Sequence, residues 1–159
     1  MSSGRYDQSE GQMIPDKGID QNNPIKLLLV DDEVCYVSVL AKRMAKRNID
    51  VITATNGMEA IQTLRSHRFD CTVLDLKMED MDGIEVLKIF KKMDPMMPVI
   101  MLTGYGSESA EQEGVRFGAF AYLAKPCDLD DLIHIICDAC EREASRVPTP
   151  QPNDIGIVR

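Results

Sequence analysis

Between Ile25 and Ala144 the chain alternates between two hydrophobic periods. Lys26-Leu27-Leu28-Leu29-Val30 is a short continuous apolar run that stops at Asp31-Asp32. Val34, Val37, Leu40, Ala41 and Met44 then recur at helical spacing, with Lys42, Arg43, Lys46 and Arg47 on the opposite face. The alternation repeats. Ile49 to Ala54 predicts a second strand, and Asn56 a cap for a helix carrying Met58, Ile61 and Leu64. Cys71-Thr72-Val73-Leu74 ends at Asp75, and Asp82-Gly83 leads into a helix with Ile84, Leu87 and Phe90. Pro98 to Leu102 ends at Thr103 and precedes a weaker helix from Ser107 to Phe117, which Gly118 should stop. Ala119 to Leu123 is a fifth strand, closed by Lys125-Pro126, and a last helix runs from near Asp128 to about Ala144. Strands apolar at consecutive positions are buried on both faces, as in a parallel sheet covered by helices. Right-handed crossovers then give an α/β fold, an open doubly wound sheet of five strands flanked by five helices.

The ends of the chain read differently. Residues 1–24 carry Gly, Ser, Gln, Asn, Asp and Pro and predict a flexible leader. From Ser145 the three prolines Pro148, Pro150 and Pro152 disfavour helix, so 145–159 reads as a tail or linker. One folded domain over 25–144 remains. The 44% apolar content of the whole chain supports a real core, aliphatic and Met-rich because Trp is absent and aromatics are 5%. A net charge of -8 argues against direct nucleic-acid binding, which needs clustered Lys and Arg. No apolar run approaches the roughly 18 residues of a membrane span, and the polar N-terminus predicts no secretory signal. The odd count of five cysteines then reads as reduced thiols in a cytosol. Cys137 and Cys140 sit one turn apart in a helical apolar stripe and lack a second ligand pair for zinc. His67 and His134 read as surface residues.

Chemistry gathers where the strands end. In open α/β sheets ligands bind beyond the carboxyl ends of the strands. The first strand delivers Asp31 and Asp32, the third Asp75, the fourth Thr103 and the fifth Lys125. Were strands one and three side by side, three carboxylates would share one pocket. Such a cluster repels itself unless a cation neutralises it, and a compact oxygen site favours Mg²⁺. A hydroxyl and an ammonium beside it suit a tetrahedral dianion. The set reads as a phosphoryl-transfer site with Asp75 as nucleophile.

Leu28-Leu29-Val30-Asp31-Asp32-Glu33, Leu74-Asp75-Leu76, Met81-Asp82-Gly83, Leu102-Thr103-Gly104 and Tyr122-Leu123-Ala124-Lys125-Pro126 resemble, in order and spacing, the receiver domain of bacterial two-component response regulators. The resemblance covers Ile25 to Ala144. It implies the flavodoxin-like strand order 2-1-3-4-5. It implies Asp75 as phosphoacceptor, loaded from a phosphohistidine on a sensor histidine kinase or phosphotransfer protein. It implies Mg²⁺ held directly by Asp32 and Asp75, through water by Asp31, and by the backbone carbonyl of Lys77. Thr103 would bond the phosphoryl group and Lys125 pair with it. Tyr122 would turn inward as Thr103 moves, and the Lys125-Pro126 bond would be cis. The implied output surface is the fourth helix, fifth strand and fifth helix, and phosphorylation-linked homodimerisation is open. The implied activity is self-catalysed phosphotransfer with slow autodephosphorylation, not turnover, in the cytoplasm.

Many family members carry Met-Pro where this chain has Met78-Glu79, which leaves that loop less constrained. Lys77 and Tyr105 stand where relatives vary the lifetime of the phosphoryl group, and Gly104 leaves room for access. The fourth helix, with few apolar anchors and an internal Gly114, should be the most mobile. Glu33 reads as a helix-start residue rather than a metal ligand. Lys88, Lys91 and Lys92 read as a solvated face. Met93, Met96 and Met97 read as packing around Pro95, and Cys127 as an ordinary thiol. Competing readings are a receiver cut from a longer transcriptional regulator, a degenerate receiver, and an aspartyl-phosphate phosphatase of the haloacid-dehalogenase type. The phosphatase would need an acid two residues after the nucleophile, where Lys77 stands. A stand-alone relay or docking regulator is the first expectation.

Overall fold

A computed structural model describes residues 5–6, 13–14, 22–104 and 106–145. Five strands alternate with five helices. They are β1 (Ile25–Val30), α1 (Val34–Ala45), β2 (Ile49–Ala54), α2 (Gly57–Ser66), β3 (Cys71–Leu74), α3 (Gly83–Met93), β4 (Val99–Thr103), α4 (Glu108–Arg116), β5 (Ala121–Ala124) and α5 (Leu129–Ser145). The strands are all parallel in the order β2-β1-β3-β4-β5. Arg5–Tyr6 also pairs antiparallel with Met13–Ile14, within the stretch expected as leader. The remainder of that stretch up to Gln21, the tail after Ser145 and the Tyr105 expectation lie outside the described residues.

Each strand feeds two cores, because successive side chains leave a strand on opposite faces. Leu27 and Leu29, Cys71 and Val73, and Ile100 and Leu102 face α1 and α5, meeting Val37, Leu40, Met44, Leu132 and Ile136. Leu28 and Val30, Leu74, and Val99 and Met101 face the other layer, meeting Ala60, Ile61, Leu64, Ile84, Leu87 and Phe90. Both faces of β1, β3 and β4 are therefore dry, as consecutive apolar positions predict. At about 25 cal/mol per Å² of apolar surface, burying one such Leu contributes roughly 1.5–3 kcal/mol.

The helices start and stop where short-range chemistry predicts. Asn56 Oδ1 accepts from the Glu59 amide at 2.8 Å, and Asp82 Oδ1 from the Ile84 amide at 2.9 Å. Ser107 caps α4 through the Ala110 amide at 3.1 Å. Gly118, at φ +97°, turns the chain after α4 in a conformation that a side chain resists. That turn also delays β5. Ala119, the first residue of the expected strand, instead donates to the Gly114 carbonyl at 2.9 Å.

Two surface readings need correction. Lys91 is not simply solvated. Its Nζ reaches the carbonyls of Pro95 and Met97 at 3.2 and 3.0 Å, closing the loop after α3. Lys88 lies 4.0 Å from the Phe117 ring centroid, joining α3 to the end of α4. Of the three methionines near Pro95, Met97 is buried, but Met93, the last residue of α3, and Met96, in the loop beyond it, are exposed.

Candidate functional site

The pairing register decides which side chains meet. Val30 stands opposite Leu74, so Asp31 and Asp75 are the next residues of adjacent strands. Thr103 stands opposite Ala124, which places Lys125 one residue beyond. Backbone bonds extend the ladder past the strand ends. The amides of Asp31, Asp75 and Lys125 donate to the carbonyls of Ala54, Val30 and Thr103 at 3.1, 2.9 and 2.9 Å. The site residues are thus held by sheet rather than by loose loop.

Carboxylate oxygens of Asp31, Asp32 and Asp75 lie within 4.8 Å of one another. Asp31 and Asp75 are only 2% and 3% exposed, and Thr103 is fully buried. Lys125 Nζ pairs with Asp31 Oδ2 at 2.5 Å and Glu33 Oε1 at 3.4 Å, and lies 4.4 Å from the Tyr36 ring centroid. The Glu33 amide donates to Asp31 Oδ1 at 3.0 Å. Glu33 is therefore both a helix-start residue and a neighbour of the site lysine. That contact and the Tyr36 face carry no sequence signal, because they depend on how α1 meets the residue after β5.

The electrostatics are unbalanced. Burial, then the charge of Asp31, push the Asp75 carboxyl up from 3.8 to about 6, against Lys125, the Thr103 hydroxyl and the Leu76 amide, which pull it down. Burial lowers Lys125, but its hydrogen bond to Asp31 and the charges of Asp31, Asp75 and Glu33 outweigh this and raise it. Asp75 Oδ1 is buried without a hydrogen-bond partner. An orphaned carboxylate oxygen facing two further carboxylates, with one ammonium among them, fits a hard divalent cation with oxygen ligands. Among the described residues this is the one group of three acidic, histidine or cysteine side chains close enough to hold a metal. His67 and His134 are exposed, as expected.

The floor of the site depends on one small residue. A Cβ on Gly83 would lie 2.2 Å from the Asp75 carbonyl oxygen and 2.7 Å from backbone atoms of Leu76. Only glycine lets the start of α3 approach β3 this closely. The Gly83 amide donates to the Leu76 carbonyl at 2.6 Å, and an antiparallel backbone bridge joins Lys77 to Asp82. Gly104 has open space beside it. The Tyr122 hydroxyl is buried, and its ring lies near Gly106 and Gly114. Burial, followed by the charges of Glu111 and Asp75, raises its phenol. The Lys125-Pro126 bond is cis, as expected.

Two pairings were not anticipated. The Cys71 thiol hydrogen-bonds to Cys140, and that bond with complete burial holds Cys71 well above the usual thiol range. Asp80, from the β3–α3 loop, accepts from the amides of Gly57 and Met58 at 3.0 and 3.2 Å.

The sequence model of the Response regulator receiver domain family matches residues 27–137. The chain is 37% identical over 123 residues to Transcriptional regulatory protein GlrR of Escherichia coli (strain K12), covering 77% of this chain and 28% of that protein. It is 36% identical over 107 residues to Sporulation initiation phosphotransferase F of Bacillus subtilis (strain 168), covering 67% of this chain and 86% of that protein. A receiver domain protein (CheY-like) from Methanospirillum hungatei JF-1 superposes with a TM-score of 0.75 at 27% identity, over 77% of this chain and 98% of that one. A response regulator protein from Burkholderia pseudomallei, solved with a phosphorylated aspartic acid and a calcium ion, gives 0.69 at 26% identity over 76% and 71%.

Proposed function

The chain belongs to the response regulator receiver domain family, phosphoacceptors of two-component systems rather than classical enzymes, and we propose that Asp75 is the residue that takes the phosphoryl group. The observation that carries this reading is the state of Asp75. It is a buried carboxylate with an unpartnered oxygen, beside Asp31 and Asp32, hydrogen-bonded to Thr103 and facing the charge of Lys125. With its proton lost near pH 6, it is mostly ionised at neutral pH and available as a nucleophile.

The donor is a phosphohistidine on a sensor histidine kinase or phosphotransfer protein. A carboxylate oxygen of Asp75 bonds to phosphorus as the phosphorus–nitrogen bond breaks, and the bond pair leaves with the imidazole nitrogen, which is then free to take a proton. Asp32 and Asp75, with the Lys77 carbonyl, would hold Mg²⁺ directly and Asp31 through water; the bound ion supplies charge neutralisation between carboxylate and phosphoryl oxygens. Lys125 offers an ammonium and Thr103 a hydroxyl to the new dianion. The acyl phosphate adds about -2 of charge, which draws these groups and biases Tyr122 and the α4–β5–α5 face toward a second arrangement. Phosphate-linked partner binding or homodimerisation follows there. Slow loss of the phosphoryl group to water resets the domain.

We place this activity in the cytoplasm; no helix among the described residues is long and apolar enough to cross a membrane. Residues 25–144 form the working unit, between a leader and a tail. The likeness to a sporulation phosphotransferase, over 86% of that protein, favours a stand-alone relay. A second reading has its own support: the chain spans about a quarter of the first curated relatives it matches, which are transcriptional regulators. Incubation with acetyl phosphate and Mg²⁺ followed by intact-mass measurement should add one phosphoryl group to the parent and none to Asp75→Asn. Equal labelling of both would refute the assignment.

A further inference from the structure

The loop that follows Asp75 is tied to a helix that carries no site residue. Helix α2 leaves its leading amides to be satisfied from outside, as every helix does. Asn56 Oδ1 serves the Glu59 amide at 2.8 Å, and the Asn56 carbonyl takes the Ala60 amide at 3.1 Å. The two amides before these are capped from 22 and 23 positions away. Asp80 Oδ1 accepts from Gly57 at 3.0 Å, and Oδ2 from Met58 at 3.2 Å. The contact is close in packing as well: a Cβ on Gly57 would lie 3.0 Å from Met81 Cβ and Sδ. The Gly57 bond, ahead of the others, holds the Asp80 carboxyl below the usual range although it lies near solvent.

The other anchors of this loop run to α3. Among them are the Gly83 amide on the Leu76 carbonyl, the antiparallel backbone bridge of Lys77 with Asp82 and the Asp82 cap on Ile84. Between the two sets stand Met78 and Glu79, of which Met78 is buried. A proline at position 79 would fix its own φ and restrict Met78; Glu79 does neither. The geometry points to Asp80 as a positioning residue: by clamping the β3–α3 loop onto the start of α2, it holds the Lys77 carbonyl where the cation site needs it. This rests on the receiver reading, in which that carbonyl is a metal ligand. Outer residues that orient metal ligands typically change affinity about 10–100-fold when removed.

The test is Mg²⁺ titration of the full chain by calorimetry, with amide spectra of the ¹⁵N-labelled protein recorded in parallel. Asp80→Ala should weaken Mg²⁺ binding roughly 10-fold and shrink the Mg²⁺-induced shift of the Met78 amide, which reports on the Lys77 carbonyl. Asp80→Asn keeps one acceptor and should fall between Ala and the parent, which keeps the test available if the alanine variant folds poorly. Asn56→Ala is the control. It removes a cap of the same helix that does not come from the loop, so it should lower the melting temperature and leave Mg²⁺ affinity within about twofold. Unchanged Mg²⁺ affinity in Asp80→Ala, or an equal loss in Asn56→Ala, would overturn the clamp while leaving the receiver reading intact. A parent chain that binds no Mg²⁺ would overturn both.

Discussion

Asp75→Asn should stabilise the metal-free fold, and by an amount that depends on pH. An unfolded aspartate releases its proton near 3.8; burial and Asp31 move the folded Asp75 to about 6. Between these values the folded state holds more protons than the unfolded one, so stability falls as pH rises through that window and stays low above it. Two pH decades at about 1.36 kcal/mol each give a penalty of roughly 3 kcal/mol at pH 7.5. Asparagine has nearly the same shape, carries no charge, and its amide donates to the neighbouring carboxylates. Urea denaturation in EDTA should therefore show a gain of about 2–3 kcal/mol at pH 7.5, shrinking toward zero near pH 4. Mg²⁺ should offset the advantage by stabilising the parent, by about 2.7 kcal/mol at 100 times its dissociation constant. A gain below about 0.5 kcal/mol at pH 7.5, or one of equal size at both pH values, would refute the electrostatic account.

Gly83→Ala places a methyl 2.2 Å from the Asp75 carbonyl oxygen, a backbone atom that cannot step aside. We expect a loss of about 2–3 kcal/mol in urea melts and poor acetyl-phosphate labelling; a variant as stable as the parent would show that α3 shifts freely. Lys125→Met removes an opposing charge from Asp75, so the midpoint of its carboxyl resonance should move above 6 in ¹³C-detected titration. Amide exchange should be fastest in α4, whose one buried residue is Gly114; uniform protection across the five helices would contradict this.

Much of this molecule is readable along one dimension. Asp31, Asp75 and Thr103 each follow a run of consecutive apolar residues immediately, and in a buried parallel strand that position is the rim. Asn56, Asp82 and Gly118 are legible because caps and stops act within a few residues. Strand order is not, since a right-handed crossover admits several neighbours; it came from the resemblance. The contacts missed share a cause. Lys125 with Glu33 spans 92 positions, and Asp80 with Gly57 spans 23. Neither pairing leaves a period, and each depends on the angle at which separate elements meet. The charge of Lys91 likewise suggested solvent, whereas its long stem reaches backbone oxygens after α3.

Every group proposed for phosphoryl chemistry leaves the sheet at its carboxyl rim, and the connections at the other rim (residues 46–48, 67–70, 94–98 and 117–120) hold none of them. Evolution or an engineer can lengthen, graft or fuse at those lower turns with little reach into the chemistry. The upper turns after β1, β3, β4 and β5 tolerate no such freedom, because one added residue there displaces an acid, a hydroxyl or an ammonium.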